Sequence, residues 1–237
     1  MTPKITIVIP CYNCEPYIRR AIRSVKEQTS THWELVVVDD GSTDGSREII
    51  DEESRIGNVP QFGTIFFTKN KGVAAARNAA IERATTEWIL PLDADDYLAP
   101  TAIAEFEHAI IHNPDADMFL SWHHHFGLGQ DMIVKRTWLG YESLLRGNHI
   151  PNSVCYRKED WRAVGGYRDG TMYEDWDLWI RILSPYAQVV TIPQALIHYR
   201  LRKGSRNEQA RARNAEEHRI IREMNAEIYK RYGTVTR

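Results

Sequence analysis

Cysteine is scarce in this sequence, with only three residues in 237. Three thiols cannot all pair within one chain, which is typical of a protein in a reducing compartment. Cys11 and Cys14 have the C-x-x-C spacing of redox and zinc motifs, but no second pair completes a zinc site. A redox role for this pair is therefore the lesser alternative, and a thiol titration would test it.

Long apolar runs are also absent. No apolar stretch reaches the 18 residues that indicate a membrane-spanning helix. Residues 1–4 lead into a strand-like segment rather than into the apolar region of a signal peptide. A net charge of −2 gives no overall attraction to nucleic acid. We therefore expect a cytoplasmic protein that has no nucleic-acid partner.

Two glycine-rich phosphate loops are missing as well. Neither G-x-G-x-x-G after the first predicted strand nor G-x-x-x-x-G-K-[ST] occurs, which excludes the usual dinucleotide fingerprint and the Walker loop. Any bound phosphate must then be neutralised by a metal ion or by basic side chains such as Lys71 and Arg77.

What the sequence does contain is a regular alternation of strand-like and helix-like segments. With 43% hydrophobic residues, 237 residues can bury one large core. The short apolar runs, largely β-branched, are typical of strands buried on both faces, and the segments between them have helical periodicity. This alternation predicts an α/β fold with a mostly parallel sheet. The predicted strands are 5–9, 35–38, 64–67 and 88–90, and the helices are 15–29, 43–54 and 73–84.

Each predicted strand ends in a polar cluster, and in a parallel sheet these clusters meet at one edge, where ligands bind. Asp93 and Asp95 follow the apolar run 88–92, and an extended backbone would direct both to one face. Two carboxylates suit a divalent cation that also holds phosphate oxygens. The alternative is a solvated turn, with Asp96 or a neighbour capping the helix that begins near Pro100.

The remaining clusters suit a nucleoside. Asp39 and Asp40 offer acceptors for a base edge or for ribose hydroxyls, and Tyr12 offers a flat face for stacking. A nucleoside diphosphate with a metal ion fits this set of groups. Residues 40–44 are also expected to form a turn that caps the next helix.

Ordered motifs along the chain carry a family resemblance. Residues 4–206 resemble the family 2 glycosyltransferases of GT-A fold. The matching segments are Ile7–Asn13 (IVIPCYN), Val37–Ser46 (VVDDGSTDGS), Asn70–Asn78 (NKGVAAARN), Leu92–Asp96 (LDADD), Gly165–Tyr167 (GGY) and Glu174–Arg181 (EDWDLWIR).

The resemblance implies a single GT-A domain over 1–237 and a division of roles among its residues. A nucleotide-sugar-binding half (1–98) would precede a mixed acceptor-binding half (99–204) and a C-terminal helix (205–237). Mn²⁺ or Mg²⁺ would bind at Asp95 with Asp93, and Asp175 would be the general base of an inverting transfer. The implied donor-binding residues are Pro10, Tyr12, Asp39, Asp40, Arg77 and Asp93.

Residues on the acceptor side are less clearly indicated. Imidazoles and indoles can pack against a sugar and hydrogen-bond to it, which favours Trp122, His123 and His125. A metal-binding histidine tract is the alternative, but the neighbouring sequence lacks zinc-module spacing. Glu174 and Trp176, beside the implied base, are further candidates. An acidic first turn is also a normal helix start, so Asp175 could be structural.

One position departs from the family pattern. Many members have a metal-site or diphosphate-site histidine where this chain has Arg202. Guanidinium cannot ligate a cation but pairs well with phosphate. We therefore predict that Arg202 binds the diphosphate, with substitution by His198 at the metal as the alternative. A transfer assay in EDTA would separate the two.

The C-terminal segment is basic and of helical pattern. Residues 200–237 hold eleven Lys or Arg against five Asp or Glu. A solvated helix packed through Ile220, Ile221, Met224 and Ile228 is the simpler interpretation. The alternative is peripheral contact with an anionic membrane surface. Liposome co-sedimentation with and without residues 207–237 would distinguish them.

The resemblance implies transfer of a sugar, with inversion, from a nucleotide-sugar to a hydroxyl of a glycan or glycolipid. A UDP-sugar is the expected donor, and the resemblance suggests bacterial polysaccharide assembly. A nucleotidyltransferase is the competing enzyme hypothesis, although it would need a glycine-rich basic loop where this chain has residues 11–14. A non-catalytic nucleotide-sugar-binding module is the third.

Overall fold

The fold is built on a sheet that runs through both predicted halves of the chain. The computed structural model describes residues 4–57 and 61–233. Within them the strand order is β3-β2-β1-β4-β8-β6-β9-β5, with β7 paired to β6. The strands are β1 (Ile5–Cys11), β2 (Trp33–Asp39), β3 (Phe62–Phe66), β4 (Trp88–Pro91), β5 (Tyr97–Leu98), β6 (Met118–Gly127), β7 (Gln130–Val134), β8 (Cys155–Arg157) and β9 (Val189–Arg200).

The direction of the strands changes between the two halves. Strands β1 to β4 are mutually parallel, as predicted. Strand β8 then pairs antiparallel with both β4 and β6, while β6 and β9 run parallel. The predicted α/β architecture, with a parallel half followed by a mixed half, is therefore confirmed. The carboxyl ends of β1, β2 and β4 lie at one edge, as expected for a ligand site.

Helices cover both faces of the sheet. The alternation along β1 sends Ile7 to one apolar cluster and Val8 to the other, which explains why the strand is apolar throughout. The helices are α1 (Ile18–Lys26), α2 (Ser46–Arg55), α3 (Val73–Arg83), α4 (Ala102–His112), α5 (Tyr141–Arg146), α6 (Lys158–Ala163), α7 (Glu174–Ile182), α8 (Arg206–Ala212), α9 (Asn214–Met224) and α10 (Ala226–Tyr232).

The C-terminal segment is not the single helix predicted for 205–237. Three short helices follow one another, with breaks at Arg213 and Asn225. The Asn225 side chain is buried, and its amide donates to the Ile221 carbonyl and to Asp177. This local bonding competes with helix continuation. Residues 234–237 of the predicted helix lie outside the described residues.

Helix α7 is fixed by a buried ion cluster around Asp177, which is fully buried. Arg168 and Arg181 each donate to Oδ2 of Asp177 at 3.0 Å through Nε, and Asn225 donates to Oδ1 at 2.9 Å. Burial alone would raise the pKa of Asp177, but these donors outweigh it and the pKa is lowered. The carboxylate therefore stays charged and ties α7 to the C-terminal helices.

No helix within 4–57 and 61–233 combines the length and the apolar character needed to cross a bilayer. The basic face predicted to contact a membrane lies on α8 to α10, and that contact stays a prediction.

Candidate active site

The acidic residues after β4 form a tight turn rather than an extension of the strand. The Asp96 amide donates to the Asp93 carbonyl at 3.0 Å. The expectation that Asp93 and Asp95 share a face through an extended backbone is therefore wrong in its geometry, because the chain reverses at Ala94 and Asp95.

Asp95 is paired with Arg202. The Arg202 Nε lies 2.5 Å from Asp95 Oδ2, and the Asp95 side chain is 17% exposed. Burial, followed by the charge of Asp93, raises the pKa of Asp95, while Arg202 lowers it. A metal cation beside Asp95 would also relieve its repulsion with Asp93. Arg202 is therefore the counter-ion of Asp95 in this structure.

Asp96 is neither solvated nor a helix cap. It is 2% exposed, one oxygen accepts from the Arg200 amide at 2.7 Å, and the other has no partner in the described chain. Burial, then the charges of Asp95 and Asp93, raises the pKa of Asp96 well above its usual value. A neutral carboxyl at this position would join β9 to the acidic turn without adding charge to it.

Arg77 connects the acidic turn to the start of α7. It is 3% exposed, and its two terminal nitrogens lie 2.8 Å from Asp93 and 2.5 Å from Glu174. Burial disfavours the charge, but the two carboxylates outweigh it and raise the pKa of Arg77. Asp93 also accepts from Asn152 at 3.2 Å. Both ends of the guanidinium are thus engaged by the protein, and its predicted contact with a nucleotide stays a prediction.

Asp175 follows Glu174 and therefore lies close to this buried arginine. Its two oxygens accept from the Trp176 amide at 2.7 Å and from the Asn148 side chain at 3.2 Å. Burial, followed by the charge of Glu174, raises the pKa of Asp175 to about 7, although Arg77 and both donors oppose the shift. A carboxylate with a pKa near neutrality is suited to accept a proton during turnover.

The predicted nucleoside end lies where β1 and β2 finish. The Asp40 amide donates to the Cys11 carbonyl at 2.7 Å, which sets the two strand ends side by side. The Asp40 carboxylate accepts from the amides of Lys71 and Gly72 at 2.7 and 2.9 Å. Burial raises the pKa of Asp40, and the two amides lower it. Asp40 therefore holds the loop before α3 against this edge.

Neighbouring residues complete this end of the site. Asp39 is fully buried and accepts from the Ser42 amide at 3.3 Å. Gly41 has φ +74°, and a Cβ there would lie 2.5 Å from the Lys69 carbonyl carbon, so only glycine fits. Tyr12 is 46% exposed and Pro10 is partly exposed, so both are accessible to the nucleobase of a bound nucleotide.

Three of the acceptor-side candidates are buried. Trp176 is 1% exposed and its indole donates to the Leu144 carbonyl. His123 is 2% exposed, and Glu174 is ion-paired to both Arg77 and Arg206. The prediction that these three face an acceptor is wrong in this conformation, because their side chains have almost no free surface. Trp122 and His125 keep partial exposure.

The cysteine pair and His198 are the groups of the alternative redox and metal hypotheses. Cys11 and Cys14 are buried free thiols. The His198 ring stacks on Tyr97 at 4.2 Å, and its Nδ1 lies 2.8 Å from Nδ1 of His124. These contacts give no support to His198 as a substitute metal ligand.

The ligands available to Mn²⁺ or Mg²⁺ at the acidic turn are few. Across residues 4–57 and 61–233, no group of three or more His, Cys, Asp or Glu is arranged to hold a metal ion. At this turn Asp93 and Asp95 supply two hard oxygen ligands, both negatively charged. This set fits a cation that keeps several waters and shares phosphate oxygens with a ligand, rather than one caged by protein.

Sequence reasoning missed several residues of this region. Asn148 and Asn152 bond to Asp175 and Asp93, and Arg206 pairs with Glu174. A lone asparagine in a loop carries no spacing signal. The only available hint for Arg206 was the basic character of the segment that follows β9.

Comparison with known proteins identifies the family. The model of "Glycosyl transferase family 2" matches residues 6–175. A teichoic acid poly(glycerol phosphate) polymerase from Staphylococcus epidermidis is 40% identical over 100 residues, which are 42% of this chain and 14% of the relative. The matched parts cover only 10% to 38% of the curated relatives' lengths.

Solved structures agree on the architecture. S. aureus TarS in complex with UDP-GlcNAc superposes with a TM-score of 0.79 at 21% identity, covering 95% of this chain and 66% of that one. The mannosyltransferase PcManGT from Pyrobaculum calidifontis, in complex with GDP-Man and Mn²⁺, has a TM-score of 0.71 at 21% identity and covers 97% and 70%. These likenesses show the fold and confirm its GT-A type. Together with the family match over 170 of 237 residues (6 to 175), they establish that this chain belongs to glycosyl transferase family 2.

Proposed function

We propose that the protein transfers a sugar, with inversion, from a UDP-sugar to a hydroxyl of a glycan or glycolipid. Family membership supports transferase chemistry and argues against a nucleotidyltransferase. The structural neighbour that binds UDP-GlcNAc supports a UDP-sugar as donor. The relative named for poly(glycerol phosphate) supports a cell-surface polymer as acceptor.

The observation that carries the proposal is the double ion pair of Arg77. One guanidinium contacts Asp93 in the acidic turn and Glu174 at the start of α7. Asp175 is therefore brought beside the carboxylates expected at the donor diphosphate, although 80 residues separate it from Asp95 in the chain (175 − 95). Donor and base must lie within a few ångströms of one acceptor hydroxyl for transfer to occur.

Asp175 supplies the basic group. An alcohol is a poor nucleophile, so a carboxylate within hydrogen-bond reach must take its proton as the new bond forms. Asn148 and the Trp176 amide orient the two oxygens, and burial keeps the pKa near the working pH. Attack on the side opposite the leaving diphosphate inverts the anomeric carbon.

Asp93 and Asp95 would hold a divalent cation at the other side of the sugar. When bound, such a cation stabilises the negative charge that develops on the leaving diphosphate. Arg202 now neutralises Asp95, so a bound donor would draw this guanidinium toward its phosphates. Tyr12 and Pro10 would contact the nucleobase of the donor. Asp39 and Asp40 would hold the ends of β1 and β2 in place around it.

Binding of UDP with Mn²⁺ tests the function. We expect UDP and Mn²⁺ together to stabilise the protein by about 2.7 kcal/mol at one hundred times the dissociation constant, because only the folded chain binds them. Asp95→Asn should abolish the Mn²⁺-dependent part of the thermal shift. Asp115→Asn, at an exposed position, is the matched control.

Donor hydrolysis on the same samples separates an enzyme from a non-catalytic module, since a module would bind UDP-sugar without cleaving it. An Asp95→Asn variant with an unchanged Mn²⁺-dependent shift would contradict the metal assignment.

Substitution of Arg202 tests its predicted role on the diphosphate. Arg202→Gln should weaken UDP binding roughly 10- to 100-fold, since a charge-assisted hydrogen bond contributes about 1.5–3 kcal/mol. Uridine, which lacks phosphate, should bind equally well to both proteins. Isothermal titration with the two ligands gives the comparison. An equal loss for uridine would assign Arg202 to the nucleoside or to the fold instead.

A further inference from the structure

A cluster of histidine and arginine side chains, without ion-pair partners in the part of the chain that the structure describes, lies on one face of the mixed half of the sheet. His123 and His125 alternate along β6, so they share a face, and Tyr199 of β9 lies opposite His125. The ring centroids of His125 and Tyr199 are 4.9 Å apart, and those of His123 and His125 are 6.2 Å apart. Arg136 lies two residues beyond β7, whose last residue, Val134, pairs with His123, and its charge acts on both His123 and His125.

Several polar atoms of this cluster are buried without partners. Both ring nitrogens of His123, Nε2 of His125 and Nε of Arg136 have no hydrogen-bond partner among the described residues. Across residues 4–57 and 61–233, neither Arg136 nor Arg211 of α8 makes an ion pair. Burying an unpaired donor or charge is costly, so a group that satisfies these atoms would stabilise the site.

The electrostatics of the cluster are those of a site for a negative group. Burial, followed by Arg136, lowers the pKa of His123 to about 3 and that of His125 to about 4. Burial also lowers the pKa of Arg136, and Arg211 adds to this. Both imidazoles are therefore neutral at pH 7, and the positive charges of the cluster are those of Arg136 and Arg211, whose mutual repulsion an anion between them would remove.

The cluster lies between the acidic turn and the region of Asp175. Tyr199 directly precedes Arg200, whose amide donates to Asp96 of the acidic turn at 2.7 Å. On the other side, the amide of Leu139, three residues after Arg136, donates to Nε2 of His149 at 3.2 Å, and the neighbouring Asn148 donates to Asp175. A molecule that presents a hydroxyl to Asp175 would therefore pass over these basic groups.

We propose that Arg136, with His125 and Arg211 beside it, binds an anionic group of the acceptor, a phosphate or a carboxylate. This inference rests on the proposed transferase function and specifies its acceptor class. The unsatisfied Nε of Arg136 donates to the anion, and Arg211 closes over it from α8. A charged acceptor is thereby held with a hydroxyl of its chain toward Asp175.

Binding of short polymers to the full chain tests this acceptor class. The probes are a glycerol phosphate oligomer, a glucuronate-containing oligosaccharide and a neutral dextran oligosaccharide of similar length. We expect one or both charged probes to bind and dextran not to bind. Arg136→Gln should weaken the charged probe roughly 10- to 100-fold, as expected for a lost hydrogen bond to a charged group. Arg136→Lys, which keeps the charge, should lose less.

Two further measurements make the outcome decisive. Arg146→Gln, on the exposed face of α5, removes the same charge elsewhere and should leave binding unchanged. UDP affinity with Mn²⁺ should be the same in wild type, Arg136→Gln and Arg146→Gln. Equal binding of dextran, no loss in Arg136→Gln, or no binding of either charged probe overturns the inference.

A loss of UDP affinity in Arg136→Gln would assign the cluster to the donor diphosphate and would also overturn it. Failure of wild-type protein to bind UDP at all would instead contradict the proposed function. The melting temperature of each variant verifies folding.

Discussion

Asp175→Asn should lose 10²- to 10⁴-fold of the transfer rate, the range expected for removal of a general base. Nucleotide binding should be retained, because the amide keeps the size of the side chain and one acceptor for Asn148 or the Trp176 amide. The measurement is kcat for transfer alongside UDP affinity. Asp115→Asn, exposed and distant in the chain, is the control. Normal turnover in Asp175→Asn would remove Asp175 from the mechanism.

The pH profile gives a second readout of the same residue. The base must be deprotonated, and its pKa is raised to about 7, so transfer by the wild type should rise as pH increases through 7. The residual activity of Asp175→Asn should lack this rise. A wild-type profile that is flat between pH 5 and 8 would assign proton removal to another group.

The stability of the fold should depend on pH in the direction opposite to the transfer rate, so the contribution of Asp175 should decrease as pH increases. A carboxyl whose folded pKa is raised stabilises the fold below its unfolded pKa of 3.8, and this contribution is lost as pH increases through 7. The charged form is therefore the costly one. Asp175→Asn removes this cost, and its melting temperature should equal or exceed that of the wild type at pH 8. A functional residue that destabilises its own fold is common at active sites.

Arg77→Met should lower the free energy of unfolding by about 3–5 kcal/mol, because it leaves two carboxylates facing each other without their shared cation. Glu174 would be the more costly of the two, since it is 4% exposed. Denaturant unfolding gives the measurement. Arg83→Met, at the exposed end of the same helix, should change stability little.

A second substitution tests the cause of that loss. Adding Glu174→Gln to Arg77→Met removes one of the stranded charges and should recover part of the lost stability. No recovery would mean that the packing of Arg77, rather than its ion pairs, accounts for the loss. Arg206 also contacts Glu174 and would remain its one basic partner among the described residues.

The parallel half of the fold could be predicted because its strands are buried on both faces. Runs such as 5–9 and 35–38 are apolar at every position or nearly so, and a polar cluster ends each one. Those two signals predict the order of elements and the edge of the sheet at which Asp40 and Asp95 both lie. Local sequence was sufficient because each signal lies within a few residues.

The side-chain contacts and the burial of residues within the site could not be predicted from local sequence. Arg77 and Glu174 are 97 residues apart, and no periodicity relates them. Asp96 resembles its partly exposed neighbours Asp93 and Asp95 in sequence, yet it is buried against the Arg200 amide. Likewise, Trp176 and His123 are buried while Trp122 and His125 keep partial exposure, and the packing of distant elements decides that.

The ion cluster around Asp177 has a consequence for comparing this protein with others of its family. The match to the family ends at residue 175, whereas Asp177, Arg181 and Asn225, which fix the helix bearing Asp175, all come later. Divergence in the final quarter of the chain can therefore alter how that helix is seated without changing any shared motif. Two members with identical signature residues could differ in the position of the catalytic carboxylate, and so in which acceptor alcohols they use.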